Sequence, residues 1–315
     1  MSAIKEANRK YFDAITDSYD SKPFFIKVNQ QVTEHLHANL DWVGVPFVNN
    51  ASSSNDDGSV RLLDYACGTG FMSRVFGPYV TVTRGIDVSP GMVQTYNSRA
   101  TSSSLPSSTI HAIEGDLLDK TDPNPTPLST PEWHDFDLVT TGFAFHHFED
   151  VVYAAQRLKE RLRPGGVLLI SDFLEGGDLK ADDNGQPIEG SEGSWSGHVH
   201  HHHGHGHGHG HGHGHGHHHH HEKEGKDEKE KNPQGNNNDD DPTANVRAEM
   251  SASVVTPHFT LEHVRKFFEE AGFVDVDVTT MKERVYMEFA GMKLWRTVLF
   301  ARGRKPLNEG EKAEL

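Results

Sequence analysis

Between residues 60 and 174 the sequence alternates short apolar runs with stretches that have the spacing of helices. The runs are VRLLDYA, VTVTRGIDV, TIHAIEGD, FDLVTTGF and VLLISDFL, and a proline-rich loop separates the third from the fourth. Such alternation is typical of a parallel sheet covered by helices on both faces. It predicts an α/β fold, a Rossmann-like doubly wound sheet.

The rest of the chain is arranged around this core. Residues 2–20 and 24–43 have amphipathic helical patterns. We expect a helical N-terminal lid at 1–48, the core at 59–175, a disordered low-complexity insertion at 176–252, a C-terminal helix and β-hairpin completing the same domain at 253–304, and a solvated tail at 305–315.

The C-terminal part predicts a helix, FTLEHVRKFFEEAGF, followed by two strands, VDVDVTTM and KLWRTVLFARGR. A short connection joins the two strands, so they are expected to pair antiparallel, with one strand inserted beside the fifth strand of the core. Arg296 and Arg302 alternate with apolar residues and are expected on a solvated face.

The insertion contains a histidine tract, with sixteen of the 24 histidines between residues 198 and 221. A segment with almost no apolar residues cannot repay the entropy of ordering itself. Neutral imidazole binds Zn, Ni and Cu, so we expect weak divalent metal binding that catalysis does not require. The tract lacks the fixed spacing of a structural or catalytic metal centre, and no such centre is predicted.

Overall charge and cysteine content exclude several classes of protein. The net charge of −16 argues against binding nucleic acid through a general basic surface. The single cysteine, Cys67, precludes an intramolecular disulfide and is expected to be a packing residue. No apolar run approaches the roughly 18 residues of a membrane span. We expect a soluble cytoplasmic protein.

The turn after the first strand, LLDYACGTGF, predicts a ligand site. A P-loop would need a lysine after Gly70, and a dinucleotide site would need a third glycine where Ser73 or Arg74 stands. What is left is a carboxylate, Asp64, followed by small residues that let a ligand approach the backbone. This arrangement suits a ligand that carries an amino acid.

Two more acidic residues stand at the ends of the next two strands. Asp87 follows about 20 residues later, where a carboxylate commonly accepts both ribose hydroxyls. Asp116 ends the third strand and is placed to meet an adenine amino group. The carboxyl ends of parallel strands form one edge of the sheet, where ligands bind in open α/β folds.

Taken together, LLDYACGTGF, GIDVSPGMV, EGDLLD, FDLVTTGFAFHHFED and LRPGGVLLISDF resemble the successive motifs of class I S-adenosylmethionine-dependent methyltransferases. The resemblance is nearest to the small-molecule group of the ubiquinone and menaquinone biosynthesis type, and it covers residues 60–175 well. It implies a seven-stranded sheet whose last two strands form a hairpin, and S-adenosylmethionine as cofactor.

The resemblance also implies roles for individual residues. Asp64 would hold the cofactor's amino group, Asp87 its ribose, and the N-terminal lid would close over it. The complete set of implied cofactor-binding residues is Tyr19, Asp64, Ala66, Gly68, Thr69, Gly70, Asp87, Met92, Asp116, Leu117 and Phe143. Ala66 departs from the pattern, since many members have glycine at this position.

Methyl transfer needs a general base only when the acceptor atom carries a proton. His146 and His147, at the end of the fourth strand, are the candidates, and the alternative is that one of them caps a helix or fills the wall. The main hypothesis is a methyltransferase for a small molecule, with a protein acceptor left open. The alternative is an inactive protein of this fold that handles metals; a dehydrogenase is disfavoured by the missing glycine.

Overall fold

The computed structural model describes residues 2–49, 58–195, 253–289 and 291–308. Its helices are α1 Ala3–Ile15, α2 Pro23–Ala38, α3 Leu40–Val43, α4 Phe71–Phe76, α5 Pro90–Ser102, α6 Val151–Arg161 and α7 Leu261–Glu270. Its strands are β1 Arg61–Tyr65, β2 Val82–Asp87, β3 Ile110–Glu114, β4 Phe136–Gly142, β5 Leu162–Phe173, β6 Leu179–Lys180, β7 Val274–Thr280, β8 Val285–Phe289, β9 Met292–Arg296 and β10 Val298–Arg304.

The main sheet has seven strands in the order β3-β2-β1-β4-β5-β10-β7. Strands β1 to β5 pair in parallel, and β10 lies antiparallel between β5 and β7. The order reverses at β1, so the sheet is doubly wound. The α/β prediction is confirmed, together with the antiparallel strand beside the fifth.

The apolar runs of the central strands bury side chains on both faces of this sheet. Leu63 and Val139 pack with α6 and α7 on one face, while Leu62 and Leu138 pack with α2 and α4 on the other. Successive strand residues point to opposite faces, which is why buried parallel strands read as unbroken apolar runs. Four of the seven helices given above start at a side-chain cap, for example Ser89 for α5 and Asp150 for α6.

A second sheet of three strands, β6-β9-β8, was not anticipated. The stretch KLWRTVLFARGR, expected to be one strand, divides at Thr297 into β9 and β10, and a β8–β9 hairpin replaces the short connection. The polar pair Arg296 and Thr297 separates the apolar residues Leu294 and Trp295 from the run VLFA, and the strand breaks at this pair. Arg296 is also not solvated: its side chain is buried and bonded to Asp178.

The sequence predicts that the insertion starts at residue 176, which is too early. Residues 176–195 include β6, which pairs with β9, and a bridge between Asp178 and Gly193. The histidine tract lies outside the described residues. Among the helices that the structure describes, none is long and apolar enough to cross a membrane.

Candidate functional site

A cavity of about 460 Å³ lies at the carboxyl ends of β1 to β4. Ligand pockets in proteins commonly measure about 300–1,000 Å³, so a small organic ligand fits. The turns after these four strands form its floor, and residues of α1 and the following turn cover it. The sequence-predicted residues that line it are Tyr19, Ala66, Gly68, Asp87, Met92, Asp116, Phe143 and His147.

The turn after β1 has an unusual backbone. Ala66, Gly68 and Gly70 all have positive φ, at 56°, 49° and 91°. A Cβ added at Gly68 would meet nothing within 4 Å, so the backbone there faces open space in the cavity. Left-handed backbone costs little for glycine but roughly 1–2 kcal/mol for alanine. The turn therefore exposes its backbone to a ligand at an energetic cost at Ala66.

Asp87 is buried at the end of β2 and ties the first two turns together. Its carboxylate accepts the backbone N–H of Gly68 at 2.8 Å and that of Ser89 at 2.9 Å. Burial, the dominant effect, raises the pKa of Asp87 to about 6, and the two backbone donors oppose that shift. Ser89 in turn caps α5 through the N–H of Met92, which places Met92 in the wall of the cavity.

Asp116, after β3, lies against charged and phenolic groups. It accepts the hydroxyl of Tyr65 at 3.0 Å and the N–H of Leu118 at 2.7 Å. The Nζ atom of Lys5, on α1, is 2.8 Å from it. Leu117, the next residue, is fully buried in the core and does not line the cavity.

The N-terminal segment, residues 2–20, is fastened to the strand-end turns by polar contacts at three places. Lys5 reaches Asp116; Asp13 accepts the hydroxyl of Ser89 at 2.5 Å and the N–H of Gly91 at 3.2 Å. Asp20 accepts the hydroxyl of Thr69 at 2.6 Å and pairs with Arg99 at 2.5 Å. Thr69 therefore contacts the N-terminal segment, and neither Thr69 nor Gly70 lines the cavity.

Asp64 lies outside the cavity lining and faces the start of α4 instead. One of its oxygens accepts both the N–H and the hydroxyl of Ser73, at 2.9 and 2.7 Å. Burial raises the pKa of Asp64 to about 7, opposed by these two hydrogen bonds. A carboxylate with this position holds the helix against the turn.

The two candidate histidines have different surroundings. His147 is buried in the cavity wall, and its Nδ1 lies 2.8 Å from the carbonyl oxygen of Ser253. Burial and the neighbouring imidazole of His146 hold the pKa of His147 well below its usual range. His146 does not line the cavity; its Nδ1 lies 3.0 Å from a carboxylate oxygen of Asp172.

Several residues at the cavity were not singled out from the sequence. Lys5, Asn8 and Phe12 line it from α1 at helical spacing, but a face that mixes charge, amide and aromatic ring gives no periodic apolar signal. Asp119 and Lys120 line it from the loop after β3. Cys67 is buried beside Tyr96 and Ala112 as expected, and burial raises the pKa of its thiol well above the usual range.

Comparison with known proteins places this site in a family. The family profile described as a methyltransferase domain matches residues 63–168, the segment that carries the turns after β1 to β4. This segment is a class I, S-adenosylmethionine-dependent methyltransferase domain. The matched range starts inside β1 and ends inside β5, so it includes the floor of the cavity but not the N-terminal segment.

Relatives match this chain over a limited length. An uncharacterised methyltransferase of Schizosaccharomyces pombe is 35% identical over 119 residues, 38% of this chain and 40% of that protein. A malonyl-[acyl-carrier protein] O-methyltransferase of Acetivibrio thermocellus is 27% identical over 115 residues, 36% of this chain and 35% of that protein. The matched segment thus spans less than half of either relative.

A solved structure shares the fold over a greater length. The phosphoethanolamine N-methyltransferase 2 of Haemonchus contortus, in complex with phosphomonomethylethanolamine and S-adenosylhomocysteine, aligns with a TM-score of 0.50 and 13% identity. The alignment covers 94% of this chain and 60% of that one. At this identity the likeness describes the fold only.

Proposed function

We propose that the protein is a methyltransferase that transfers a methyl group from S-adenosylmethionine to a small molecule. One observation carries the proposal: the cavity is lined at successive strand ends by Gly68, Asp87 and Asp116. These residues supply an open backbone and two carboxylates in the order that the cofactor's methionine, ribose and adenine require. The match of residues 63–168 to a methyltransferase domain supports the same activity.

The residues present fit the cofactor. The backbone at Gly68 faces open space that a Cβ would enter, so a ligand can approach it closely. Asp87 and Asp116 are acceptors for ribose hydroxyls and for an adenine amino group, and Met92 supplies an apolar surface. Ala66, Phe143 and Tyr19 would contribute walls. Asp64, Thr69, Gly70 and Leu117 would act by supporting these turns, since they lie behind the cavity surface.

The cofactor, when bound, supplies an activated methyl group attached to a sulfonium. The chain's own residues then have to orient the two reactants and exclude water. We propose that the N-terminal segment is the lid that does this, with Phe12 and Tyr19 over the cavity. A base from the His146–His147 turn would remove a proton from the acceptor where one is present.

The acceptor proposed is a small molecule. The cavity is covered from one side by the N-terminal segment and is lined largely by apolar and aromatic groups, among them Phe143, Phe148 and Tyr153. The net charge of −16 disfavours nucleic acid as a substrate. A protein acceptor would have to insert a single side chain, and a cytoplasmic location is part of the same proposal.

Titration calorimetry with S-adenosylhomocysteine tests the cofactor assignment. We expect micromolar binding by the wild type and a loss of tenfold or more in Asp87→Asn, since hydrogen bonds to a charged group are worth about 1.5–3 kcal/mol each. Asp137→Asn is the matched control, because Asp137 is also buried and accepts a backbone N–H, but from Arg61 at the opposite end of the sheet. Wild-type protein that is folded and binds nothing would refute the proposal.

A second substitution probes the backbone approach. Gly68→Ala places a methyl group in the open space, and we expect it to weaken binding of S-adenosylhomocysteine by at least tenfold. Gly77→Ala is the control, since a Cβ there also meets nothing and the position has no positive φ. Equal affinities in the two variants would contradict the placement of the cofactor against Gly68.

The alternative, an inactive protein that handles metals, depends on the histidine tract. No group of three or more potential ligands of a metal occurs within the part of the chain that the structure describes. We predict that deleting residues 198–221 removes metal binding and leaves methyl transfer intact. Loss of methyl transfer in a folded deletion variant would favour the alternative.

A further inference from the structure

Asp172, next to the last residue of β5, is the buried carboxylate nearest to the histidine turn. Its side chain is fully buried. One oxygen accepts the backbone N–H of His146 at 3.1 Å, and the other accepts that of Phe173 at 2.9 Å. The Nδ1 atom of His146 lies 3.0 and 3.2 Å from the two oxygens. The carboxylate is therefore hydrogen-bonded to both the backbone and the ring of His146.

This contact decides which ring nitrogen of His146 carries the proton. A carboxylate only accepts hydrogen bonds, so Nδ1 must be the protonated nitrogen and Nε2 holds the lone pair. Nε2 has no hydrogen-bond partner among the residues that the structure describes, and 14% of the side chain is exposed. His146 is thus oriented to receive a proton at Nε2.

His147 lacks the equivalent support. Its Nδ1 donates to a backbone carbonyl, that of Ser253, which offsets an added positive charge far less than a carboxylate does. Its burial in the cavity wall also opposes a positive charge. The ring centroids are 4.0 Å apart, so His146 lies directly against a residue of the cavity wall, although it does not line the cavity itself. Of the two, only His146 is backed by a carboxylate.

We propose that Asp172 is a positioning residue that makes His146 the general base for an acceptor whose reactive atom carries a proton. The proposal rests on the proposed methyltransferase function and names its substrate class: a hydroxyl, a thiol or a protonated amine. The acceptor's proton passes to Nε2, and the electron pair it leaves forms the bond to the methyl carbon. The pair of the broken carbon–sulfur bond stays on sulfur, and the Asp172 carboxylate offsets the imidazolium charge.

Asp172 also stabilises the turn through the backbone N–H of His146, so a loss of activity alone would not establish the proposal. The first measurement is therefore the tautomer of His146, by ¹⁵N nuclear magnetic resonance of the free protein. His146→Gln identifies the signals. We expect the Nδ1–H form in the wild type, and the Nε2–H form in Asp172→Asn, whose amide NH₂ would donate to Nδ1.

The second measurement is steady-state methylation of a panel that contains substituted phenols, alkyl thiols and primary amines. We expect Asp172→Asn and His146→Gln to lower kcat by about 10²-fold or more, the usual contribution of general base catalysis, with KM for S-adenosylmethionine unchanged. Asp172→Glu should restore part of kcat. Asp137→Asn, a buried carboxylate far from the turn, should keep wild-type kcat even if it loses stability.

Each outcome has a distinct meaning. An Nε2–H tautomer in the wild type overturns the proposal, as does a kcat for Asp172→Asn that equals that of Asp137→Asn. A wild type that binds S-adenosylhomocysteine, has the expected tautomer and methylates no member of the panel overturns the substrate class. Absence of S-adenosylhomocysteine binding instead refutes the proposed function, while the tautomer is still measured independently.

Discussion

The N-terminal segment and the strand-end turns meet at the cavity but are held in place by different forces. Helix α1 has no buried residue and is attached through Lys5, Asp13 and the neighbouring Asp20. The turns instead carry left-handed non-glycine residues, Ala66 and Phe143, together with the buried carboxylates of the strand ends. The N-terminal segment, which is the cover of the cavity, and the strand-end turns, which are its floor, are therefore stabilised by different interactions.

The difference separates what is rigid in the site from what can move. Partly exposed ion pairs contribute about 0–1 kcal/mol each, so we expect the cover to detach more readily than the floor unfolds. The floor keeps its strained backbone and its buried charge only because the packed sheet imposes them, at about 1–3 kcal/mol per strained residue. Under the proposed function, the core would supply the shape that recognises the ligand, and the N-terminal segment would control access to it.

The largest effect is expected in the core that imposes the floor. Leu138 is fully buried on β4, between Leu62 of β1 and Val167 of β5. Leu138→Ala should lower the free energy of unfolding by about 2–5 kcal/mol, through lost burial and the cavity left behind. Urea denaturation measures it, with the exposed Ile26→Ala as control within about 0.5 kcal/mol. A loss below 1 kcal/mol would mean that the sheet does not carry the floor.

The same contrast explains how much of the molecule could be predicted from the sequence. The strands beside Leu63 and Val139 were recognised because burial on both faces leaves long apolar runs, and the alternation with helices indicated that they pair in parallel. In the second sheet, β6 was missed because it has only two residues and pairs with the distant β9, whereas the apolar run VYMEF of β8 and the polar pair before β10 were local signals that were not recognised. Short strands that depend on distant partners leave no local signal.

The residues of the site also fall into two groups, those that a local sequence pattern predicts and those that depend on distant contacts. Asp87 and Asp116 could be predicted because a strand end followed by a carboxylate is a local pattern. The true surroundings of Asp64 could not, because its direction depends on the Ser73 hydroxyl at the start of the next helix. Asp172 was missed for a related reason, since its partner His146 is 26 residues away and only the pairing of β4 with β5 brings them together.

The next effect concerns buried charge in the floor. The pKa of Asp64 in the folded protein is about 7, above its usual value of 3.8, so the folded state binds more protons between those values. The free energy of unfolding should therefore fall as the pH rises from about 4 to 7. Asp64→Asn keeps an oxygen for Ser73 and removes the charge. We expect the free energy of unfolding of this variant to exceed that of the wild type by roughly 2–4 kcal/mol at pH 8 and by little at pH 4.

Urea denaturation across that pH range provides the measurement. In Asp64→Asn the free energy of unfolding should still fall in part between pH 4 and 6, because the pKa of Asp87 is also raised, to about 6. Calorimetry with S-adenosylhomocysteine adds a second result. If Asp64 only supports the turn, Asp64→Asn should bind with unchanged affinity. A tenfold loss of affinity would indicate that Asp64 contacts the ligand's amino group directly.

A smaller effect is expected from backbone strain in the same turn. Ala66 has a φ of 56°, which glycine adopts at less cost. Ala66→Gly should raise the free energy of unfolding by about 1 kcal/mol, net of the entropy that glycine gains in the unfolded chain. Ala100→Gly, inside α5, is the control and should lose about 1 kcal/mol. If both variants changed the free energy of unfolding in the same direction, Ala66 would not be strained.

The smallest effect on stability, and the one that tests the cover directly, is expected in the N-terminal segment. The double variant Lys5→Met with Asp20→Asn removes the charge pairs to Asp116 and Arg99. Its free energy of unfolding should change by less than about 1 kcal/mol, while amide hydrogen exchange in α1 should become several-fold faster. In the wild type, raising the salt concentration should have the same effect on α1, since screening weakens these pairs.

Lys266→Met is the matched control, because Lys266 forms an exposed pair with Glu270 on α7, away from the cavity. It should change stability as little and leave exchange in α1 unaltered. If exchange in α1 stays slow in the double variant, apolar contacts rather than charge hold the cover in place. The N-terminal segment would then move only with the core, and access to the cavity would require part of the floor to open.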